Sequence, residues 1–572
     1  MTPLARICAV TGVVLLLPAW CFGARPRILY SDLESGPKSG GENNAGAIVT
    51  VYGRWFGAVQ GESYVTVGGG RAVSYRLWTD TRIAFQPGPA AQTGSIVVHT
   101  AAGNSNQVPF AVRAGRIFFV STTGSDSGSG SFSSPWRSLL KARNTMAAGD
   151  ITYAMNGVSQ VTDDGEGWDS TFTLRAGWCG GGSPRALIAY PGAAVTIGHL
   201  TKPGQGIRGV DSSAGGGACA GSWVFAGLTL RGRTAVNLWG PSSNWRFVAN
   251  DLSCPAGDGA SGCFAAALAS GIRLLGNRVH DAGRAGASAL YHGVYFGTDS
   301  NNFEMGWNVV SRVQGCRGVQ AYSHPLGAFA PESGRNLYGI SIHDNIIHDT
   351  QCDGIVLHTV DPSRGKVEVY NNVIYDAGLG NTPELTGNWS CVNVVGGTNF
   401  GAAGGGVVDL YNNTMYNCGT NPRAPYRDAA NAIEYGGHNP DLTVRLRNNI
   451  VYQPRGVPYI VNFGRPGNVG GSNNLFFGNG TPPSNANLAQ SIASDPLFAG
   501  LADKDFHIGA GSPARRAGVE TGATIDIDGN PRGGPAGYDI GAYQYAGADA
   551  GRASDFAHAL RGIRFVFGGF SL

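Results

Sequence analysis

Three short segments in the middle of the chain carry side chains that could bind an anion and transfer a proton. They share a glycine followed by a branched aliphatic residue, and they align without gaps: Tyr291-His292-Gly293-Val294-Tyr295, Cys316-Arg317-Gly318-Val319-Gln320 and Cys352-Asp353-Gly354-Ile355-Val356. The alignment places His292, Arg317 and Asp353 in one column, directly before the glycine. A guanidinium beside imidazole and carboxyl groups can neutralise a substrate anion and move a proton. We therefore treat these three residues as catalytic candidates.

Two further columns follow from the same alignment. Successive side chains of a strand point to opposite faces, which turns inward Val294, Val319, Ile355, Val392 and Ile433. The first outward column contains Tyr295, Gln320, Val356, Asn393 and Glu434, and the second contains Tyr322 and His358. Tyr322 and His358 join the catalytic candidates, and the substrate-binding candidates are Tyr295, Gln320, His324, Asn393 and Glu434. Such a ladder suits an extended sugar chain, whereas a solvated sheet face would need only polar residues.

The orientation of the His292, Arg317 and Asp353 column depends on the glycine that follows each of them. Strict alternation would turn the three side chains into the core, where unpaired charges are costly. Glycine allows the backbone to bend, so we expect these residues at the rim of the same outward face. Neighbouring coils are about 4.8 Å apart, so the three residues should be close together.

A repeat centred on asparagine predicts how these strands stack. The asparagines that end successive strands lie 25 to 41 residues apart and are Asn250, Asn277, Asn308, Asn345, Asn372, Asn413, Asn449 and Asn474. Repeats of this length, with short strands and no long helices, indicate a β-solenoid. Asparagine suits the turn because it tolerates a left-handed backbone and its amide can bond the same group in the next coil.

The N-terminal part of the chain has a different pattern. From Pro26 to about Arg113, short alternating strands are separated by glycine turns, which predicts a β-sandwich. The features that carry a family resemblance are Gly36-Pro37, Val51-Tyr52-Gly53, Phe56-Gly57, Pro87 and Gly103-Asn104-Ser105-Asn106 before Phe110. They resemble the IPT/TIG family of immunoglobulin-like modules, which implies such a domain over residues 25–113.

The rest of the chain resembles secreted parallel β-helix proteins. Phe119 to Asp126, Ser134-Pro135-Trp136 and a predicted helix near Leu139 to Met146 resemble the opening of such proteins, where a helix covers the first coil. Asp495-Pro496-Leu497-Phe498 and the segments up to Tyr543 resemble their C-terminal end. We therefore predict an all-β chain: a right-handed parallel β-helix with both caps over 114–545, preceded by the small sandwich. Residues 546–572 are predicted to be a tail.

The N-terminus, the composition and the cysteines fit an exported protein. Arg6 followed by the short apolar stretch Ile7 to Leu17 predicts a signal peptide over residues 1–24, and the stretch is too short to span a bilayer. Its removal leaves eight cysteines, an even number suited to an oxidising compartment. Proximity in the sequence favours the pairs Cys179–Cys219, Cys254–Cys263, Cys316–Cys352 and Cys391–Cys418. Free buried thiols are the alternative.

The low charge of the chain limits which kinds of molecule it could bind. Charged residues are 14% of the chain and the net charge is +3, with no basic run, which argues against nucleic acid as a partner. We expect a secreted, monomeric protein without a membrane span. Its expected partner is an extended polysaccharide.

Parallel β-helices of this kind resemble polysaccharide lyases of the pectate-lyase type, pectinase-like hydrolases, uronate epimerases and phage depolymerases. Elimination needs a base and a positive charge near a uronate carboxylate. Arg317 would neutralise the carboxylate, and His292, His358 or Tyr322 would act as base or acid. Hydrolysis needs two carboxylates about 5–10 Å apart, for which the face offers Asp353 and, two coils away, Glu434. We favour a lyase acting on an acidic glycan. The alternatives are an inverting hydrolase and a non-catalytic glycan-binding surface protein with the module as a spacer.

Ca²⁺ is a candidate cofactor through the same resemblance. Lyases of the pectate and alginate β-helix families commonly use a lysine or arginine base beside acids that bind Ca²⁺. This chain departs from that pattern, because Lys366 is the only lysine in the central coils and precedes a different strand. Asp299, Asp353 and Asp361 are weak candidate ligands, and no metal site is predicted from them.

Overall fold

The computed structural model describes residues 24–179, 181–210, 221–240, 242–323, 337–380, 389–396, 404–419 and 430–547. The predicted signal peptide up to Gly23 and the predicted tail from Ala548 therefore lie outside the described residues. Within the described residues the chain is almost entirely β-structure. The α-helix Leu139–Thr145 and several 3-10 helices complete it: Glu42–Asn44, Ala176–Trp178, Pro466–Asn468, Leu501–Asp503 and Gly534–Ala536.

The N-terminal region is a sandwich of two sheets, as predicted. The first contains, in spatial order, Arg27–Ser31, Val49–Arg54, Arg82–Gln86 and Ser74–Trp78. The second contains Ser35–Gly36, Val108–Val112, Gly94–Thr100, Tyr64–Val67 and Gly70–Arg71, with Gly103–Asn104 paired to Gly94–Thr100. Alternating residues such as Val49, Val51, Val65, Val67 and Val98 are buried between the sheets. We refer to this sandwich as the module.

Three long parallel sheets follow, and together they form the predicted parallel β-helix. In the described residues they contain 13, 11 and 10 strands. The first, which we call the module sheet, contains Ile117–Val120, Ile151–Ala154, Arg185–Ala189, Trp223–Ala226, Arg246–Val248, Arg273–Leu275, Phe303–Gly306, Ile340–His343, Val367–Tyr370, Gly406–Tyr411, Leu442–Arg447, Val469–Ser472 and Asn487–Ala489.

The second sheet, the cap sheet, contains Ser159–Gln160, Thr196–Ile197, Thr229–Arg231, Asp251–Cys254, Arg278–Ala282, Val309–Val313, Ile346–Thr350, Val373–Ala377, Thr414–Tyr416, Ile450–Gln453 and Leu475–Gly478. The third sheet, the site sheet, contains Ser170–Leu174, Gln205–Gly209, Thr234–Trp239, Ser261–Ala267, Tyr291–Phe296, Val319–Ala321, Ile355–Leu357, Val392–Val394, Ile433–Tyr435 and Ile460–Asn462. Away from the two ends, each described coil contributes one strand to each sheet. Residues at matched positions of successive coils therefore become direct neighbours.

Stacked asparagines hold the corner between the module sheet and the cap sheet. The Nδ2 atom of Asn345 donates to Oδ1 of Asn372 at 2.9 Å, and Asn372 donates to Asn413 at 3.0 Å. The same bond links successive members of the predicted series from Asn250 to Asn474. The stacking prediction is therefore confirmed. The left-handed backbone belongs to the preceding residue instead, such as Asn371 at φ 53° and Asn412 at φ 55°.

The N-terminal end of the β-helix is covered as predicted. The side chain of Ser138 accepts a hydrogen bond from the backbone N–H of Lys141 and caps the helix Leu139–Thr145. Leu139 and Ala142 of this helix are buried in the same hydrophobic core as the first coils. The helix thus covers apolar surface that the first coil would otherwise expose.

The module packs along the side of the β-helix. The Tyr153 hydroxyl donates to the carbonyl of Ile48 at 2.9 Å and accepts from its N–H at 2.7 Å. The Arg246 guanidinium donates to the carbonyls of Ser31 and Asp32. These buried bonds join the module to two different coils of the module sheet, so the module is held against the β-helix.

The C-terminal segment, residues 495–547, lies beside the cap sheet and does not add further coils. Its strands Phe498–Gly500 and Asp505–Ile508 pair with each other in antiparallel fashion. Phe506 packs against Tyr375 of the cap sheet. Asp528 accepts a hydrogen bond from Arg54 of the module at 2.7 Å. The segment therefore contacts both the helix and the module.

Three of the four predicted disulfides are present in the described residues: Cys254–Cys263, Cys316–Cys352 and Cys391–Cys418. Cys316 and Cys352 have Cα atoms 4.6 Å apart, close to the spacing of neighbouring strands. The fourth predicted pair includes Cys219, which lies outside the described residues.

Candidate functional site

The predicted strand register is confirmed on the site sheet. Tyr295 is paired with Gln320, Gln320 with Val356, and Val356 with Asn393. Glu434 follows Asn393 in the same column. The five aliphatic residues that precede these positions lie in the hydrophobic core. The first outward column is therefore a continuous row of side chains along the axis of the helix.

The glycine before each aliphatic residue interrupts the alternation. A Cβ atom on Gly318 would meet Ile347, and one on Gly354 would meet Ile374, both of which are core residues. Glycine and the next residue thus both face the core, and this break turns the preceding residue away from it. The corner expected at these glycines is present.

Arg317 and Asp353 meet at this corner. Arg317 Nε lies 3.4 Å from Asp353 Oδ2, and an N–H of Arg317 donates to Oε1 of Gln320 at 2.8 Å. Asp353 Oδ1 accepts from the backbone N–H and the hydroxyl of Ser390, each at 3.0 Å. Burial raises the pKa of Asp353 to about 6, although Arg317 opposes the shift. The guanidinium is thus held between an amide and a carboxyl.

The rim position expected for Asp353 and His292 is wrong, because both side chains are buried. Asp353 is 0% exposed and His292 is 2% exposed. Asp353 contacts Arg317 and Ser390 of the neighbouring coils. Burial and the nearby Arg317 hold the pKa of His292 well below its usual value. Its Nδ1 makes no hydrogen bond to the described residues, and its ring lies 5.6 Å from that of Tyr295.

Tyr322 and His358 form the second outward column of the site. Their ring centroids are 4.2 Å apart, because each follows the end of its strand at the same position and bonds to the preceding coil. Both side chains are half-buried. Burial, together with Arg317 and His438, lowers the pKa of His358 to about 4. His358 is therefore a neutral imidazole near pH 7, with an Nδ1 that has no partner among the described residues.

The binding candidates further along the column are less exposed than predicted. Gln320, Asn393 and Glu434 are 6%, 2% and 1% exposed. An Oε atom of Glu434 accepts from Nδ2 of Asn431 at 3.0 Å. These residues are an inner layer of the site, and Tyr295 is its half-buried aromatic member. The remaining candidate, His324, lies outside the described residues.

Two further residues of the site were not identified from the sequence. Ser390 and Asn431 occupy the position of Asp353 in the next two coils, as the register of Ile355, Val392 and Ile433 shows. Ser390 binds Asp353 and Asn431 binds Glu434. The gap-free alignment contained this signal, because both residues stand two positions before the aligned aliphatic residue.

The described residues do not fit a Ca²⁺ site. They contain no group of three or more histidine, cysteine or acidic side chains that could hold a metal ion. Asp353 faces the guanidinium of Arg317, and Asp361 accepts from the backbone and hydroxyl of Ser363. A cation bound to Asp353 would compete with Arg317 for the same carboxylate. We therefore assign no role to a metal ion.

A family model matches the N-terminal module, and several solved structures resemble the chain distantly. Residues 35–112 match the IPT/TIG domain family. No curated protein matches the chain. Among solved structures, pectate lyase Pel9A is 15% identical with a TM-score of 0.45, over 75% of this chain and 96% of that one. XylC in complex with xylose is 9% identical with a TM-score of 0.42, over 75% and 98%. PfbA, a surface adhesin of Streptococcus pneumoniae, is 9% identical with a TM-score of 0.35, over 60% and 82%.

Proposed function

We propose that this protein is a secreted polysaccharide lyase that cleaves an acidic, uronate-containing glycan by β-elimination. The observation that carries the proposal is the arrangement of Arg317 on the same outward face as a neutral His358, whose pKa is lowered by burial and Arg317 and which is in contact with Tyr322. A fixed cation, a proton acceptor and a proton donor are the three groups that this reaction requires.

Arg317 is suited to bind the uronate carboxylate. Gln320 and Asp353 hold its guanidinium from two sides, and 19% of its side chain remains exposed. A guanidinium held in place stabilises the charge that develops on the carboxylate when the neighbouring C–H bond is broken. Asp353 is fully buried, so its role is to position Arg317.

His358 and Tyr322 supply the proton transfers. His358 accepts the proton from C5 of the uronate, and the C–H electron pair becomes the new C4–C5 double bond. The C4–O bond breaks, and the Tyr322 hydroxyl donates a proton to the departing oxygen. A bound carboxylate also neutralises Arg317. After burial, the charge of Arg317 is one cause of the low pKa of His358. Substrate binding therefore removes one of the contributions that lower the pKa of His358.

Hydrolysis is the second candidate, and one observation favours it. The pKa of Asp353 is raised to about 6, as in a general acid, and Glu434 lies two coils away. Both carboxyl groups are buried, and both are engaged by neighbouring side chains. Elimination uses the groups that a substrate can reach, so it is the better supported reaction.

One feature supports export. The described residues contain three disulfides, which persist in oxidising compartments. In the part of the chain that the structure describes, no helix has the length and apolar character needed to cross a bilayer. Together with the predicted signal peptide, the disulfides favour a site of action outside the cytoplasm.

The test is to incubate the purified protein with uronate-containing polysaccharides and a neutral glycan, and to record both the absorbance of unsaturated sugar ends and the number of reducing ends. Elimination predicts that both increase on acidic substrates. Reducing ends without absorbance would establish hydrolysis, and binding without either would leave a non-catalytic protein.

The matched variants are Arg317→Ala and Arg231→Ala. Their side chains are 19% and 21% exposed, and each arginine faces an aspartate, but Arg231 lies on the cap sheet. Only Arg317→Ala should abolish turnover. Equal activity of the two variants would contradict the assignment of Arg317.

A further inference from the structure

The outward column of the site sheet continues beyond the candidate catalytic residues towards the N-terminal end. Tyr295 is paired with Ala265, Ala265 with Asn237, and Asn237 with Arg208. The residues that precede them, Val294, Phe264, Val236 and Ile207, lie in the core. Arg208 and Asn237 therefore stand on the same face as Tyr295, Tyr322 and His358.

Arg208 and Asn237 belong to a second polar and aromatic cluster. The Arg208 guanidinium lies 4.3 Å from the ring centroid of Trp168. Oε1 of Gln205 accepts from Arg208 at 2.8 Å and from Nδ2 of Asn237 at 2.9 Å. All four side chains are half-buried. One amide oxygen thus orients both a guanidinium and a second amide, and an aromatic ring supports the guanidinium from one side.

A strand with two outward alanines separates the two clusters. Trp239 lies two residues after Asn237 and is paired with Ala267, and Ala265 and Ala267 are the outward residues of the next strand. Trp239 is half-buried, whereas Ala265 contributes only a methyl group at its position. Only these small side chains stand between Trp239 on one side and Tyr295 on the other, so a sugar bound there would contact both aromatic rings.

We propose that Trp168, Arg208, Asn237 and Trp239 form a second subsite that binds another acidic sugar of the same glycan. This inference rests on the proposed function. Arg208 is three strands from Tyr295, or about 14 Å. A pyranose unit spans about one strand spacing, so roughly three sugar units separate the two clusters. The guanidinium would bind a carboxylate and the indole rings would pack against sugar faces.

Two linked clusters predict a dependence on chain length. An oligosaccharide that reaches both clusters gains the second contact at a high effective concentration, whereas a short one occupies one cluster at a time. Affinity should therefore rise steeply once the ligand spans both. The ratio of the affinity for an octamer to that for a dimer measures this coupling directly.

The experiment measures calorimetric affinities for uronate oligosaccharides from dimer to octamer, in a His358→Gln background that prevents cleavage. Arg208→Gln and Trp239→Ala are compared with Arg231→Ala, an arginine of the same region that pairs with Asp251 on the cap sheet. Thermal melting confirms that each variant is folded. We expect Arg208→Gln to lower the octamer-to-dimer ratio by about 10- to 100-fold, the loss of one charged contact. Trp239→Ala should lower it too, and Arg231→Ala should leave it unchanged.

The outcomes separate the two proposals. Acidic oligosaccharides that bind with an unchanged ratio in Arg208→Gln and Trp239→Ala would overturn the second subsite and leave the proposed function intact. If the His358→Gln background bound no acidic oligosaccharide of any length, both proposals would fall. A lower ratio in Arg208→Gln alone would confine the subsite to Trp168, Arg208 and Asn237 and remove Trp239 from it.

Discussion

Protonation of His358 should abolish turnover, and the pH at which this happens should differ between free and substrate-bound protein. Burial, Arg317 and His438 lower the pKa of His358 to about 4 in the free protein. At pH 7 only about one molecule in a thousand carries the proton. Below about pH 4, kcat/KM should fall tenfold for each pH unit, because the imidazole can no longer accept a proton. Between pH 5 and pH 8, His358 should impose no pH dependence on kcat/KM.

The pH dependence of kcat reports the substrate complex, where a uronate carboxylate neutralises Arg317. The acid limb of kcat should therefore lie at a higher pH than that of kcat/KM. The assay follows unsaturated-end absorbance at saturating and limiting substrate from pH 3 to pH 9. His358→Gln should lower kcat by about 10²- to 10⁴-fold, the usual contribution of a general base. The exposed His199 provides the control His199→Gln, which should retain full activity.

Two results would refute this account of His358. One is an acid limb of kcat/KM centred at the ordinary histidine value of about 6.5, which would mean that burial and Arg317 do not act on the base. The other is a His358→Gln variant that retains more than a tenth of wild-type kcat.

Three further predictions concern the scaffold. Asn372→Ala removes four buried hydrogen bonds. It should lower the free energy of unfolding by about 4 kcal/mol in a denaturant titration. A loss below about 1 kcal/mol would contradict a stabilising role of the stacked asparagines. Replacing Cys316 and Cys352 by serine opens a loop of 36 residues and should lower the free energy of unfolding by about 4 kcal/mol in the same titration. An unchanged free energy would contradict it. Arg54→Ala removes the module's contact to Asp528, which keeps His507 as a second partner. The variant should therefore cost about 1.5–3 kcal/mol, the usual contribution of a hydrogen bond to a charged group; unchanged thermal melting would show that this contact contributes nothing.

The strand register could be predicted from the sequence because the glycine and the branched residue recur at fixed positions in the strands of the site sheet. The pairing of Val319 with Ile355, and of Cys316 with Cys352, follows from a gap-free alignment on glycine and a branched residue. The asparagine stack is equally local to the repeat. The left-handed backbone was assigned to the stacked asparagine. In the structure two consecutive residues form the corner, and the first of them, such as Asn371, has the left-handed conformation.

Burial and long-range packing could not be predicted in the same way. Asp353 and Glu434 were expected to be accessible, but their exposure depends on the side chains of adjacent coils, such as Ser390 and Asn431. The contact between Arg54 and Asp528 joins residues 474 positions apart. Neither residue carries a pattern that specifies the other, so the lateral packing of the module and the C-terminal segment has no local signal.

The central claim is that the outward face of the site sheet binds an acidic glycan through Arg317. The most direct measurement is a crystal structure of His358→Gln with a uronate octamer. We expect a sugar carboxylate on the Arg317 guanidinium, with the chain running along the column towards Tyr295 and Arg208. An ordered oligosaccharide on the module or the cap sheet, with the site sheet empty, would contradict it.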